Sequence, residues 1–348
     1  MKKVKSITLS NTQLPNDTDG NLLLTGEMSL LNDNGTFFLY SNVWGGCPGI
    51  DCCNVAGFSG CATCCFTKPP LIDPCVYTNN HTVVAYKTTD FVSFISLGAV
   101  LPPSARLPGI EFRPQVIQCP STGLYVMWYE DRWSSGTNRG YAVAHSSSAS
   151  GPFVTVTDSV ILPGNGRVGD YDLFIDEVTG VAYHVRTGLT IVELASNCSA
   201  PALKEPTEIP NGNVEGPAMF KRLDIYYLLV GQGCCACKGG SNVIVYTANT
   251  PLGPWFEQGD VGSNKTDNHT YDPRSPFNFV TRAQQTKVIK IPSDSNPDQW
   301  LWVGNAWVTS TLPGNPRNSD LLYFTLLNFE ADGNITQIVR KDECVITL

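Results

Sequence analysis

"EGPAMFKRLDIYYLLVGQG", residues 215–233, sets a glutamate at the head of a short apolar run, followed by a turn and an aromatic-rich run. A carboxylate entering an apolar interior loses much of its hydration, so acids normally stay at the surface. Pro217 has no N–H and suits the start or edge of a strand, which fixes where Ala218-Met219-Phe220 begins. The second run, Ile225 to Val230, is strand-sized, and Arg222-Leu223-Asp224 supplies a turn between the two. The stretch reads as a hairpin that opens on an acid.

The same pattern recurs along the chain. It appears as "GEMSLLNDNGTFFLYSN" from Gly26, "EFRPQVIQCPSTGLYVMWYED" from Glu111, "DYDLFIDEVTGVAYHVRTG" from Asp170 and "QQTKVIKIPSDSNPDQWLWVGNAW" from Gln284. A third strand follows each hairpin: "TVVAYKTT", "GYAVAHSSS", "TIVELAS", "NVIVYTANT" and "LLYFTLLNF". The exits "SASGPF" (148–153) and "TPLGPW" (250–255) also match each other. No window holds a 3.6-residue period, while 31 Gly and 24 Pro punctuate short runs rich in Val, Ile, Tyr, Phe and Trp. Sheets of three or four strands repeated radially make an all-β, five-bladed β-propeller. Residues 1–20 are expected to form an extension or closing strand, and 21–348 a single domain with a Cys-rich insert at 47–75 in the first blade.

Inner strands of a propeller converge on a central channel, so the residues that open them share a pocket. Those residues are Glu27, Glu111, Asp170, Glu215 and Gln284. Acids gathered around one axis repel one another and shift each other's protonation, as an acid/base site requires. The net charge of -8, without a basic run, argues against nucleic acid. The apolar runs are too short to span a membrane, and "MKKVKSITLS" has no apolar signal-peptide core.

At these residues the chain resembles glycoside hydrolase family 43, five-bladed propellers that cleave glycosidic bonds with inversion. "DYDLFIDEVTGVAY" is similar to the family's third-blade signature and "EGPAMFKR" to its fourth. "EFRPQVIQCPSTGLYVMW", "RAQQTKVIKI" and "GNAW" look like blades of the exo-β-1,3-galactanase branch. The resemblance covers roughly 21–330 and is weakest in the 47–75 insert. It implies that Glu215 is the general acid and Asp170 the carboxylate that orients it and raises its pKa. It implies sugar contacts for Glu111 and Gln284, the latter proposed in that branch to position the attacking water. The wider family has a catalytic-base Asp in blade one and the galactanase branch a Gly, whereas spacing back from "NGTFFLY" gives Glu27 here. Glu27 is therefore expected to act as the base, with Gln284 assisting, on a galactan-type polysaccharide or glycan side chain. Trp44 and Trp307, after inner-hairpin strands, could stack on sugar rings or simply fill the blades. The chain is expected to work as a monomer without cofactor or metal. An α-L-arabinofuranosidase or β-xylosidase of this fold, and a non-catalytic glycan-binding propeller, remain alternatives.

Thirteen cysteines point to an oxidising compartment, and ten lie in "CPGIDCCNVAGFSGCATCC" (47–65), Cys75 and "CCAC" (234–237). The C-x-x-C pairs Cys61/Cys64 and Cys234/Cys237 could hold zinc, but ten cysteines exceed one zinc site and favour disulfides. The odd total leaves at least one thiol free or intermolecular. Seven N-x-S/T sequons (Asn16, Asn34, Asn80, Asn197, Asn264, Asn268, Asn334) agree with a secreted glycoprotein whose leader is missing. No histidine shows ligand spacing, and His184 is expected to be packed within its strand; Asp51, Asp73 and Asp131 read as turn residues.

Overall fold

The computed structural model describes residues 5–43, 82–106, 110–132, 138–210, 214–233, 239–263, 279–292, 298–306 and 320–348. Five antiparallel sheets follow one another along the chain as the blades of a propeller. Blade one holds β2 (Gly26–Asp33), β3 (Thr36–Val43), β4 (Thr82–Thr88) and β5 (Ile95–Leu101). Blade two holds β6 (Ile110–Gln118), β7 (Tyr125–Arg132), β8 (Asn138–Ser146) and β9 (Val154–Val160). Blade three holds β10 (Tyr171–Ile175), β11 (Ala182–Arg186), β12 (Thr190–Glu193) and β13 (Thr207–Glu208). Blade four holds β14 (Glu215–Arg222), β15 (Ile225–Gly231), β16 (Ile244–Ala248) and β17 (Phe256–Asp260). Blade five holds β18 (Gln284–Ile291), β19 (Gln299–Ala306) and β20 (Leu321–Leu326).

The apolar residues that alternate along each strand form one core at every blade-to-blade contact. Phe38, Tyr40, Met127 and Tyr129 fill the wedge between blades one and two. Trp128, Tyr141, Tyr171 and Leu173 fill the next, then Val185, Met219 and Leu228. Phe220, Tyr227, Trp300 and Trp302 lie between blades four and five, and Leu30, Leu39, Leu301 and Val303 between five and one. Each such side chain contributes about 1.5–3 kcal/mol on burial, so every inner strand is held from both flanks. The ends of the chain meet where β1 (Ser6–Ser10) pairs with β21 (Glu343–Thr347). Asn11 ties this pair to blade five, its amide donating to Phe324 O at 2.9 Å and accepting from Phe324 N at 2.7 Å.

Two polar features brace the stem. Asp172 on β10 is fully buried; it accepts from Lys287 Nζ of β18 and from Met219 N of β14 at 2.8 Å, tying three inner strands together. Burial pushes the Asp172 carboxyl up, against the pull of Lys287. A disulfide joins Cys119, just past β6, to Cys198, just past β12, and so links blades two and three. Cys344 is a buried free thiol. The remaining cysteines, at 47–75 and 234–237, lie outside the described residues, as do Asp51 and Asp73. Asp131 is not a turn residue: it is buried on β7, where it pairs with Glu111 of β6. Among the described residues no helix is long and apolar enough to cross a membrane.

Candidate active site

The inner strands β2, β6 and β14 open with the same irregularity. The ladder pairs Gly26 with Asn42 and resumes at Ser29 with Tyr40. It pairs Phe112 with Glu130 and resumes at Gln115 with Trp128, and pairs Glu215 with Gly231 and resumes at Ala218 with Leu229. One extra residue sits in each inner strand, which is a β-bulge, a common device for aiming side chains at a site. The residue after the last pair before the bulge is left-handed every time: Glu27 at φ 46°, Arg113 at φ 48° and Gly216 at φ 57°. β18 shifts register between Gln285 and Lys287.

This register corrects the equivalence that spacing suggested. Gly26 and Phe112 occupy the place that Glu215 holds in blade four, Glu27 stands one residue further in, and Glu111 one residue further out. Gly26 stands as far from the turn-closing pair Asp33–Thr36 as Glu215 does from Arg222–Ile225, so Glu27 falls one residue nearer its turn. Asp170 lies just before β10, its carbonyl accepting from Thr187 N at 2.8 Å.

Three of the expected residues come together, with an arginine that was not expected. Arg113 Nε lies 2.7 Å from Asp170 Oδ1, and its Nη2 donates to Gln284 Oε1. Gln284 Nε2 donates to Asp170 Oδ2 at 2.9 Å, and Gly216 N donates to the same oxygen at 3.1 Å. The Gln284 amide can sit only one way between a cation and a carboxylate, its oxygen toward Arg113 and its nitrogen toward Asp170. Asp170 thus receives donors from blades two, four and five. Gly216 is needed for two reasons: its φ of 57°, and the 3.1 Å that a Cβ would leave to Gln284 Cγ.

Glu215, one residue from the Gly216 contact, is exposed at the opening of β14. Repulsion from Asp170 raises its pKa above the usual carboxylate value, and lost hydration adds to this. Arg113 and Arg167 pull the other way, while Glu130, buried on β7, pushes with Asp170. A carboxyl whose pKa is raised by a neighbouring acid is suited to donate a proton. Glu27 is half-buried on β2. Glu111 lies on β6, but its side chain is outside the described residues, and Trp44 and Trp307 are outside them altogether. Arg113, Arg167 and Glu130 were missed by sequence reasoning. Only Arg113 left a trace, as a cation beside a proline in "EFRPQV". His184 is packed, fully buried on β11.

No family model and no curated protein matches the chain. Solved structures do. An exo-β-1,3-galactanase from Clostridium thermocellum superposes with a TM-score of 0.72 at 20% identity, over 97% of this chain and 66% of that one. A family 43 β-1,3-galactosidase gives 0.71 at 20% identity, over 97% and 63%. An exo-β-1,3-galactanase from Phanerochaete chrysosporium, with β-1,3-galactotriose, gives 0.69 at 18% identity, over 97% and 68%. The chain has the fold of these proteins. It spans less than two thirds of the length of the first two.

Proposed function

We propose that this chain is a secreted glycoside hydrolase that cleaves β-linked galactan with inversion. The observation that carries the reading is the Arg113–Asp170–Gln284 network beside Glu215, whose pKa the repulsion of Asp170 raises. Galactan is favoured because the solved structures of this fold include exo-β-1,3-galactanases and β-1,3-galactosidases.

In this reading Glu215 protonates the glycosidic oxygen as the bond to the anomeric carbon breaks. A water attacks that carbon from the opposite face and must lose a proton. Inverting enzymes place the two carboxyl groups about 6.5–9.5 Å apart to leave room for this water. Gln284 has its amide oxygen turned to Arg113 and one N–H engaged by Asp170, which suits it to hold a water and not to deprotonate it. A carboxylate is the better proton acceptor, so the base is Glu27. Glu111, Trp44 and Trp307 are left to bind sugar.

The test is hydrolysis of β-1,3-galactan and β-1,3-galactobiose by the wild type and by Glu215→Gln, with proton NMR of the first-formed product. Released galactose carrying the inverted anomer, lost in Glu215→Gln, supports the reading. A retained anomer, or turnover that survives the substitution, overturns it. Product only from arabinan or xylan would move the chain to the arabinofuranosidase or xylosidase alternative.

A further inference from the structure

Asp170 is the hub of the network, yet it precedes its strand and stands at the end of the glycine-rich stretch "PGNGRVGD" (163–170). It is anchored through both neighbours. Tyr141, on β8 of the adjoining blade, holds Gly169: its hydroxyl donates to Gly169 O at 2.9 Å and accepts from Gly169 N at 3.2 Å. The Asp170 carbonyl accepts from Thr187 N at 2.8 Å and from Thr187 Oγ1 at 3.0 Å. On the other side Tyr171 stacks on His184, ring centroids 4.6 Å apart and 7° from parallel. Tyr141 meets the rings of Tyr171 and His184 edge-on at 5.0 and 4.7 Å. Burial pushes the His184 pKa well below its ordinary value, so this ring packs against Tyr171 as a neutral group.

The Tyr141 hydroxyl bonds both polar atoms of the Gly169 backbone, while its ring already fills the wedge between blades two and three. The ring accounts for the packing, and the hydroxyl has a separate task. We propose that the Tyr141 and Thr187 hydroxyls are positioning groups that hold Asp170 in place against Arg113, Gln284 and Gly216, beside the acid Glu215. This rests on Glu215 being the acid, as argued above.

The charged groups that bear on Glu215 are Asp170, Arg113, Arg167 and Glu130. Freeing Asp170 weakens the largest of these influences, so Glu215 should lose its proton at lower pH. The experiment is a carbon-13 NMR titration of protein labelled at glutamate carboxyls, with Glu215 assigned as the resonance missing from Glu215→Gln. Glu130 is followed in the same titration, because it lies opposite Tyr141 in the β7–β8 ladder. In Tyr141→Phe, which keeps the ring, the Glu215 midpoint should fall by about half a unit or more while Glu130 holds. On β-1,3-galactobiose the alkaline limb of kcat/KM should move down with it, and kcat should fall more than KM changes. A folded Tyr141→Phe protein with an unmoved midpoint overturns the proposal. If Tyr141→Phe gives no cooperative melt, Thr187→Val decides: a lower midpoint supports the proposal and an unchanged one overturns it. A wild type that hydrolyses no galactan while the midpoint still falls would sink the galactanase reading and leave the positioning role standing.

Discussion

In blade four the ladder pairs Glu215 with Gly231 and resumes at Ala218; in blade one it pairs Gly26 with Asn42 and resumes at Ser29. Blade four uses the order Glu-Gly and blade one the order Gly-Glu, so the same bulge carries its carboxylate one residue earlier or later. In blade four the glycine takes the left-handed position at φ 57°, and the glutamate before it is free to open to solvent. In blade one the glutamate itself is left-handed at φ 46° and half-buried. A non-glycine residue in that region costs about 1–2 kcal/mol. Strain of this kind survives where the surroundings enforce it, and such places are often functional. The two acids therefore differ in backbone as well as in surroundings, which fits one acting as a proton donor and the other as an acceptor.

The largest effect expected from this contrast is at Glu215. Glu215→Gln keeps the shape and removes the proton, and general-acid catalysis is worth about 10²–10⁴-fold. Hydrolysis of unactivated galactan should fall by that much, with glycan binding unchanged by calorimetry. In the wild type the rate should fall on the alkaline side as Glu215 ionises, and because Asp170 raises its pKa the fall should lie above the ordinary glutamate value. A fall centred at that ordinary value would show that Asp170 does not govern it.

Next is Glu27. If it accepts the proton of the attacking water, Glu27→Gln should lower kcat by about 10²-fold, and azide should restore part of the turnover from the base's face. If the glutamate only holds a sugar hydroxyl, KM should rise while kcat stays near wild type. Kinetics with and without azide separate the two. Restoration of turnover in Gln284→Ala but not in Glu27→Gln would hand the water to the amide and break the proposed division of labour.

The β-propeller itself was legible because its evidence is repetition: five hairpins, each followed by a third strand, and strand alternation that sorts side chains into inter-blade cores. Asp170, Glu215 and Gln284 were legible because each stands at or just before the start of an inner strand, next to a recognisable run. The register at the mouth was not, since nothing in "GEMSL" or "EFRPQ" marks an extra residue; a bulge is a tertiary choice. Arg113 and Glu130 were hidden for a related reason. A charged residue inside a strand run looks like an outward-facing one until the neighbouring blade closes over it. Cys119 and Cys198 lie 79 residues apart, and no spacing rule pairs them.

A smaller effect, on stability, tests the backbone half of the contrast. Gly216→Ala adds a Cβ at φ 57° that would stand 3.1 Å from Gln284 Cγ and from Gln285 O. The strain and the crowding together should cost about 1–3 kcal/mol in chemical denaturation and displace Gln284 from Asp170. Loss of activity with stability unchanged would mean that the bulge yields more easily than its conformation implies.

The smallest effect is the most discriminating, because it runs against the usual direction of substitution. Glu27→Gly replaces a strained residue with the one that blade four uses at the same place in its bulge. Relief of the left-handed conformation should stabilise the protein by up to about 1 kcal/mol, less the extra freedom that glycine gains when unfolded. If Glu27 accepts the proton, turnover should meanwhile fall as far as in Glu27→Gln. Stability held below its attainable value for the sake of activity is the signature of a functional position. Urea denaturation at neutral pH together with galactobiose kinetics measures both. A clear loss of stability would show that the Glu27 side chain holds the bulge together, and the strain would then need no catalytic explanation.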